Sequence, residues 1–321
     1  MAHSSIFRFL RLMILKTFSS RKFKTPISIS FDCNRVSICT LDPVTALIKS
    51  YQFFPYELGN ILDATLEELV PLKEILQTYK KDILCCNLAI SINDVLLKII
   101  RIKQDPINSL YNRVYHELCL SLMTEDIMFD YVITAEAMAD FVLQAVIAKK
   151  THLARYYLFA QQIGLSVSKI TIDTHSITRM LLEMQKKDQK LLIDHNNLLF
   201  LMANISHLSV ISIINGKYQS YQELSITNDI CENTLLLIDN VKSYGVGILD
   251  DDNHEEYQVI IADSLANEQY YLDYISNALS LKCSTFGFLY KQIYAEDVSI
   301  EDLNLLYKAI ALSDIISQTY E

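Results

Sequence analysis

The densest set of charged donor atoms in this 321-residue sequence is Asp250-Asp251-Asp252-Asn253-His254-Glu255-Glu256. Carboxylates this close could hold a cation. The spacing of a calcium loop, D-x-D-x-D-G with a glutamate at its twelfth position, is missing, so a solvated acidic loop is the plainer reading. Asp173, His175 and Ser176 are the residue types of a hydrolytic triad. Neighbours on one strand-to-helix turn cannot all converge on a scissile bond, and no G-x-S-x-G elbow accompanies them. His116, His152 and His207 have no partner at i, i+4, so no zinc site is expected. The seven cysteines, with Cys85 and Cys86 adjacent, include no C-x-x-C and no ligand spacing with histidine; they read as reduced, buried thiols of a cytoplasmic protein. Phosphate chemistry is restrained by glycine, with 6 residues in the chain where average usage of roughly 7% would supply about 22. Neither G-x-G-x-x-G nor G-x-x-x-x-G-K-[ST] occurs, and the nearest pair, Gly245 and Gly247, has no third member.

Composition describes the body that must position any such residue. Hydrophobic residues make up 51% and charged residues 21%, with mean hydropathy +0.19, no Trp and 19 Tyr. A chain of this length allows one large domain or two ordinary lobes. Net charge is -10, yet residues 1–25 carry Arg8, Arg11, Lys16, Arg21, Lys22 and Lys24 without one acid. The acidic remainder argues against nucleic acid as a partner.

Hydrophobic periodicity sets out the elements. Residues 27–41 alternate as two strands meeting near Asn34. Leu58 to Lys80 has helical spacing, with Pro71 marking a break or a new first turn. Strands are expected at 83–92 and 95–102, a helix at 108–122, and strands at 127–134 and 141–148. A helix from Thr151 ends at Gly164, a strand covers 167–172, and a helix opens with Asp173 or Thr174 as N-cap. Lys186 to Lys190 reads as a linker. His195 to Gly216 holds 22 residues without a formal charge, nominally enough to span a bilayer, but Asn196, Asn197, Asn204, Ser206, His207, Ser209 and Ser212 would need internal partners in lipid. We read a hairpin meeting near Asn204 to His207, a turn at Asn215-Gly216 and a strand around 218–224. Helices follow, with Tyr270, Tyr271 and Tyr274 as core positions.

Ile6, Leu10, Met13 and Ile14 fall at helical spacing, interrupted by Arg8, Arg11 and Lys16, and with Leu12 to Leu15 as the longest apolar run no export signal is expected. The readings that stay open are a contact of Arg8, Leu10, Arg11, Met13 and Ile14 with an anionic membrane face, or else a frayed start or a helix docked on the protein.

Two halves that each open with a hairpin, the first with an α+β insert, resemble the actin-like ATPase superfamily and, within it, the PilM-like type IV pilus assembly proteins. The residues that carry this are 83–102, Asp126 to Tyr131, and 142–182 with Ile163-Gly164-Leu165 and Asp173-Thr174-His175-Ser176. The similarity covers 27 to about 249 and returns at 303–313. It implies an α/β, actin-like (ribonuclease H-like) two-lobe fold. The domains expected are a basic amphipathic segment at 1–25, a first lobe at 26–185 with an insert at about 93–148, and a second, shortened lobe at 186–321.

The resemblance also implies where nucleotide would bind, and there the sequence departs from it. The family's first phosphate hairpin reads like DIGSSSVK, where the acid organises metal or water and the glycine lets phosphate approach. Here it is Ser30-Phe31-Asp32-Cys33-Asn34-Arg35-Val36-Ser37. Acid, glycine and lysine have become Ser30, Asp32 and Ser37, and Asn34 stands at the turn. In the second hairpin the acid has become Met202 and the glycine Asn204, followed by Ser206. The glycine-rich adenosine turn has no counterpart. The expectations are therefore no catalytic residue, no metal and no cofactor, with ATP disfavoured. Relatives bind the tail of the membrane protein PilN in an apolar groove, which would fall here near Ile90, Ile92, Leu96 and Ile99. The function implied is that of a non-catalytic adaptor, cytoplasmic and peripheral to the inner membrane. The alternatives are a divergent actin-like ATPase and another actin-like scaffold, FtsA-like or type II secretion-like.

Overall fold

The computed structural model describes residues 27–31, 35–42, 45–56, 61–79, 85–103, 109–122, 126–136, 140–188, 192–193, 197–214, 216–226, 229–246, 257–279, 281–294 and 296–313. Along the chain run β1 (Ile27–Phe31), β2 (Arg35–Leu41), β3 (Ile48–Pro55), α1 (Val70–Tyr79), β4 (Cys85–Ile90), β5 (Val95–Lys103), α2 (Leu110–Leu122), β6 (Ile127–Glu136) and β7 (Asp140–Lys149). They continue as α3 (Lys150–Gln162), β8 (Ser166–Ile172), α4 (Asp173–Lys187), β9 (Asn197–Ala203), β10 (His207–Ile214), β11 (Lys217–Ser225) and α5 (Ile230–Val246). Last come β12 (Gln258–Ala262), α6 (Gln269–Leu279), β13 (Lys282–Thr285), α7 (Phe286–Tyr294) and α8 (Ile300–Leu312). Two compact units result, one built on Asn60–Ile170 and the other on Ile27–Gly59 with Thr171–Glu321.

In the first unit β7 lies between β5 and β6 in an antiparallel sheet. Alternate residues of β7, Leu143, Ala145 and Ile147, face Val114 and Leu118 of α2 and form a core with Ile100, Ile102 and Ile127. That alternation is what a sheet covered on one face requires. α3 ends as expected: Gly164 adopts φ 80, and the Leu165 amide bonds the Ala160 carbonyl at 2.9 Å, the backbone reversal that glycine makes cheap. The helix expected over 58–80 is shorter. A 3-10 turn at Ile61–Asp63 precedes α1, whose first turn contains Pro71, where a missing amide costs nothing.

The second unit holds two antiparallel meanders, β1-β2-β3 and β9-β10-β11. β12 runs parallel to β9, and β13 parallel to β12. β9 is buried along its whole length. Leu198, Phe200 and Met202 face one core with α4, α7 and α8, while Leu199, Leu201 and Ala203 face another with α5 and α6. Cover on both faces explains the uncharged run at 195–216: a central strand needs apolar residues at every position. β3, β12 and β13 are additions to the sequence reading, which expected only helices after β11. Two further corrections concern exposure and ends. Tyr271 is fully buried, but Tyr270 and Tyr274 are 60% and 44% exposed, because α6 presents one stripe to the sheet. α4 starts at Asp173 with Ile172 as its uncapped N-cap, and it runs to Lys187, so the supposed linker begins inside the last turn.

Candidate functional site

The two hairpins that the resemblance assigns to phosphate both lie in the second unit. On the first, Ser30 pairs across the strands with Ser37, and both are fully buried. Neither hydroxyl finds a hydrogen-bond partner among the described residues. Asp32 and Asn34 lie outside the described residues. On the second, Met202 is buried in the core shared with α7 and α8. Asn204 ties the turn: its side-chain oxygen accepts from the Ser206 amide at 3.0 Å, the Ser206 hydroxyl at 2.9 Å and the His207 amide at 2.9 Å. This is the local bonding that makes asparagine a turn residue.

Between the hairpin ends sits a residue that no sequence argument singled out. Asp263 follows β12, whose last residue, Ala262, pairs with Met202 of β9. One carboxylate oxygen accepts from the Arg35 guanidinium at 2.7 Å and from the Ser264 amide at 2.8 Å. The other accepts from the Asn204 side-chain amide at 3.2 Å. The Asp263 and Arg35 side chains are only 4% and 13% exposed. The backbone at Asp263 has φ 73 and ψ -167, a region that essentially only glycine visits freely. Its amide is held by the Asn304 carbonyl at 2.9 Å. The strain was invisible in sequence because aspartate carries no mark of its φ. An acid directly after the apolar run Val259 to Ala262 is the signal that was there to be read.

The remaining candidates separate. Asp173 accepts from the Thr174 amide, and Ser176 donates to Thr171, while His175 sits edge-on to Tyr218, so the three do not form a relay. Burial lowers the pKa of His175. Among the described residues no cluster of three or more His, Cys, Asp and Glu could hold a metal. Residues 250–256 and Arg8, Leu10, Arg11, Met13 and Ile14 lie outside the described residues. Among the described residues no helix is long and apolar enough to cross a membrane.

The expected groove residues do not share one lining. Ile90 and Ile92 are buried, whereas Leu96 and Ile99 are 47% and 72% exposed. Three residues apart on a strand, the last two point to opposite faces. Among the described residues β5 is an edge strand, and Ile99 shares its open face with the exposed Arg101 and Lys103.

Meanders continued by parallel strands and packed helices give the chain its class: an α/β protein with the actin-like fold. No family model matches the sequence, and no curated protein matches it. Among solved structures, the chain is similar to the PilM-PilN type IV pilus biogenesis complex, with TM-score 0.67 and 10% identity over 92% of this chain and 98% of that one. Lower scores go to the cytoplasmic domain of EpsL, an inner membrane component of the type II secretion system of Vibrio cholerae (TM-score 0.45, 11% identity, 73% of this chain and 81% of that one). A Bacteroides thetaiotaomicron protein with actin-like ATPase fold scores 0.47 at 9% identity, over 83% and 93%. At such identities the likeness is one of fold.

Proposed function

We propose that the chain is an actin-fold adaptor of a type IV pilus inner-membrane assembly, which binds the cytoplasmic tail of a PilN-like membrane protein and does not hydrolyse nucleotide. The observation that carries the reading lies at positions 30 and 202. Where the resemblance calls for the two carboxylates that organise metal and water, the chain has a buried serine and a buried methionine. Phosphoryl transfer depends on positioned charge, and neither side chain supplies any. The partner half draws support from β5. An edge strand offers unpaired main-chain groups to an extended peptide, and Ile99 offers apolar contact beside them. Such a protein works in the cytoplasm, at the inner membrane face, held there through its partner.

Titration calorimetry of a synthetic PilN-like tail into the full chain tests the partner half. Binding is expected, and Ile99→Asp is expected to weaken it at least ~10-fold. A wild-type chain that ignores the tail sinks the adaptor reading. Phosphate release from Mg-ATP tests the other half, and turnover above buffer would return the chain to the divergent ATPases.

A further inference from the structure

We infer that Arg35, Asn204 and the Ser264 amide form an anion site whose resident anion is the chain's own Asp263 carboxylate, and that this site accepts a phosphate-type oxyanion only once that carboxylate is removed. Three separate parts of the second unit deliver the donors: the start of β2, the β9-β10 turn, and the turn after β12. A guanidinium, a side-chain amide and a main-chain amide converging within 3.2 Å of one acceptor group is the donor set that carboxylates and phosphates share. Nothing but an acceptor suits it. Asp263 places a carboxylate oxygen 2.7 Å from the Arg35 guanidinium, and breaking a buried pair of this kind is costly.

The backbone tells the same story from the other side. A side chain at φ 73, ψ -167 is held in a conformation that glycine takes at no cost, and such strain persists only where surrounding contacts over-determine it. Here those contacts are the three donors on the carboxylate and the bond from the Asp263 amide to Asn304. The hairpin ends are therefore bridged without any bound ligand. A second anion is refused by a full site, through repulsion at low dielectric, and not for lack of donors.

This inference concerns the same hairpin ends as the proposed loss of hydrolysis, yet it rests on the Asp263 contacts alone and fails separately from tail binding. Thermal unfolding of the full chain with inorganic pyrophosphate, against sodium chloride at matched ionic strength, tests it. The wild-type midpoint is expected to stay put. Asp263→Gly suits the backbone and opens the space, and its midpoint is expected to rise by ~4 °C or more. Adding Arg35→Met should abolish that rise. If the glycine variant folds only with pyrophosphate present, that rescue is the same result in stronger form. Asp263→Asn is nearly isosteric, and its midpoint should rise less because the amide still fills the site. Equal shifts in wild type and Asp263→Gly, or no response in either variant, would overturn the inference.

Discussion

Gly287→Ala is expected to be among the costliest small changes in the second unit. Gly287 is the second residue of α7, and a Cβ there would stand 2.2 Å from the Ile300 carbonyl oxygen and 3.1 Å from its carbon. Favourable carbon contacts lie at about 3.5 Å, so α7 and α8 would have to part by roughly 1 Å. The obstacle is backbone, which cannot swing aside. The Gly287 amide also donates to the Asn304 side chain at 2.7 Å, a bond buried in the same contact. Overpacking costs about 1–3 kcal/mol and an unmade buried hydrogen bond about 1–3 kcal/mol. Alanine returns about 1 kcal/mol through better helix propensity. The net loss is about 3 kcal/mol, concentrated in the core where Phe286, Tyr290, Leu303 and Tyr307 are all fully buried. Urea unfolding followed by circular dichroism measures it, with Gly164→Ala as the contrast. That site has open space around it and only the φ 80 backbone to penalise the change, at about 1 kcal/mol. A Gly287→Ala variant within about 1 kcal/mol of wild type would refute the steric argument and show that propensity decides.

Asp130 on β6 has its pKa pushed up by burial to about 7, partly offset by the bond from the Tyr131 amide. The folded chain then keeps a proton that the unfolded chain releases near pH 4, so stability falls as pH rises from about 4 to about 7 and is level above. Asp130→Asn should remove that slope and gain about 1–2 kcal/mol at pH 8, discounted for partial exposure; parallel pH profiles would contradict it. Burial raises the Cys39 thiol, and raises Cys86 to about 12. Maleimide labelling of the native chain should therefore spare both, and labelling as fast as in urea would show that these sites open. Arg155→Ala breaks an ion pair with Asp63 whose partners are 38% and 66% exposed. The change should alter urea stability by less than about 1 kcal/mol, and a larger loss would mean the pair is not the surface contact it looks.

Alternation and turn chemistry made much of the fold legible. The β1-β2 hairpin and β5 stand where two-residue periodicity put them, β7 where an apolar run did, and the β9-β10 hairpin where the turn at Asn204 to His207 did. Sequence reasoning lost β3, β12 and β13 for different reasons. β3 is largely half-buried, with little contrast between its faces, and β12 is a strand of only 5 residues, Gln258 followed by four apolar ones, whose strand character comes from its position between β9 and β13. β13 is shorter still, with 4 residues. The substituted hairpin positions could be read because their spacing survives. The acid after Val259 to Ala262 was visible, but its role was not, since that depends on Arg35 and Asn204, which lie 228 and 59 residues away.

The second unit is discontinuous, and this has a consequence for synthesis. Tyr290 donates to the Ala46 carbonyl, and Tyr51 donates to Asp302, joining residues 244 and 251 positions apart. As the chain leaves the ribosome N-terminus first, β1 to β3 emerge early and then wait for α7 and α8. Residues 60–170 of the first unit, by contrast, emerge as one uninterrupted stretch. At about 5–20 residues per second the wait lasts tens of seconds, during which the core that buries Cys39 and Leu41 lacks the helices that complete it. Those first strands are a part of the nascent protein that a chaperone would shield.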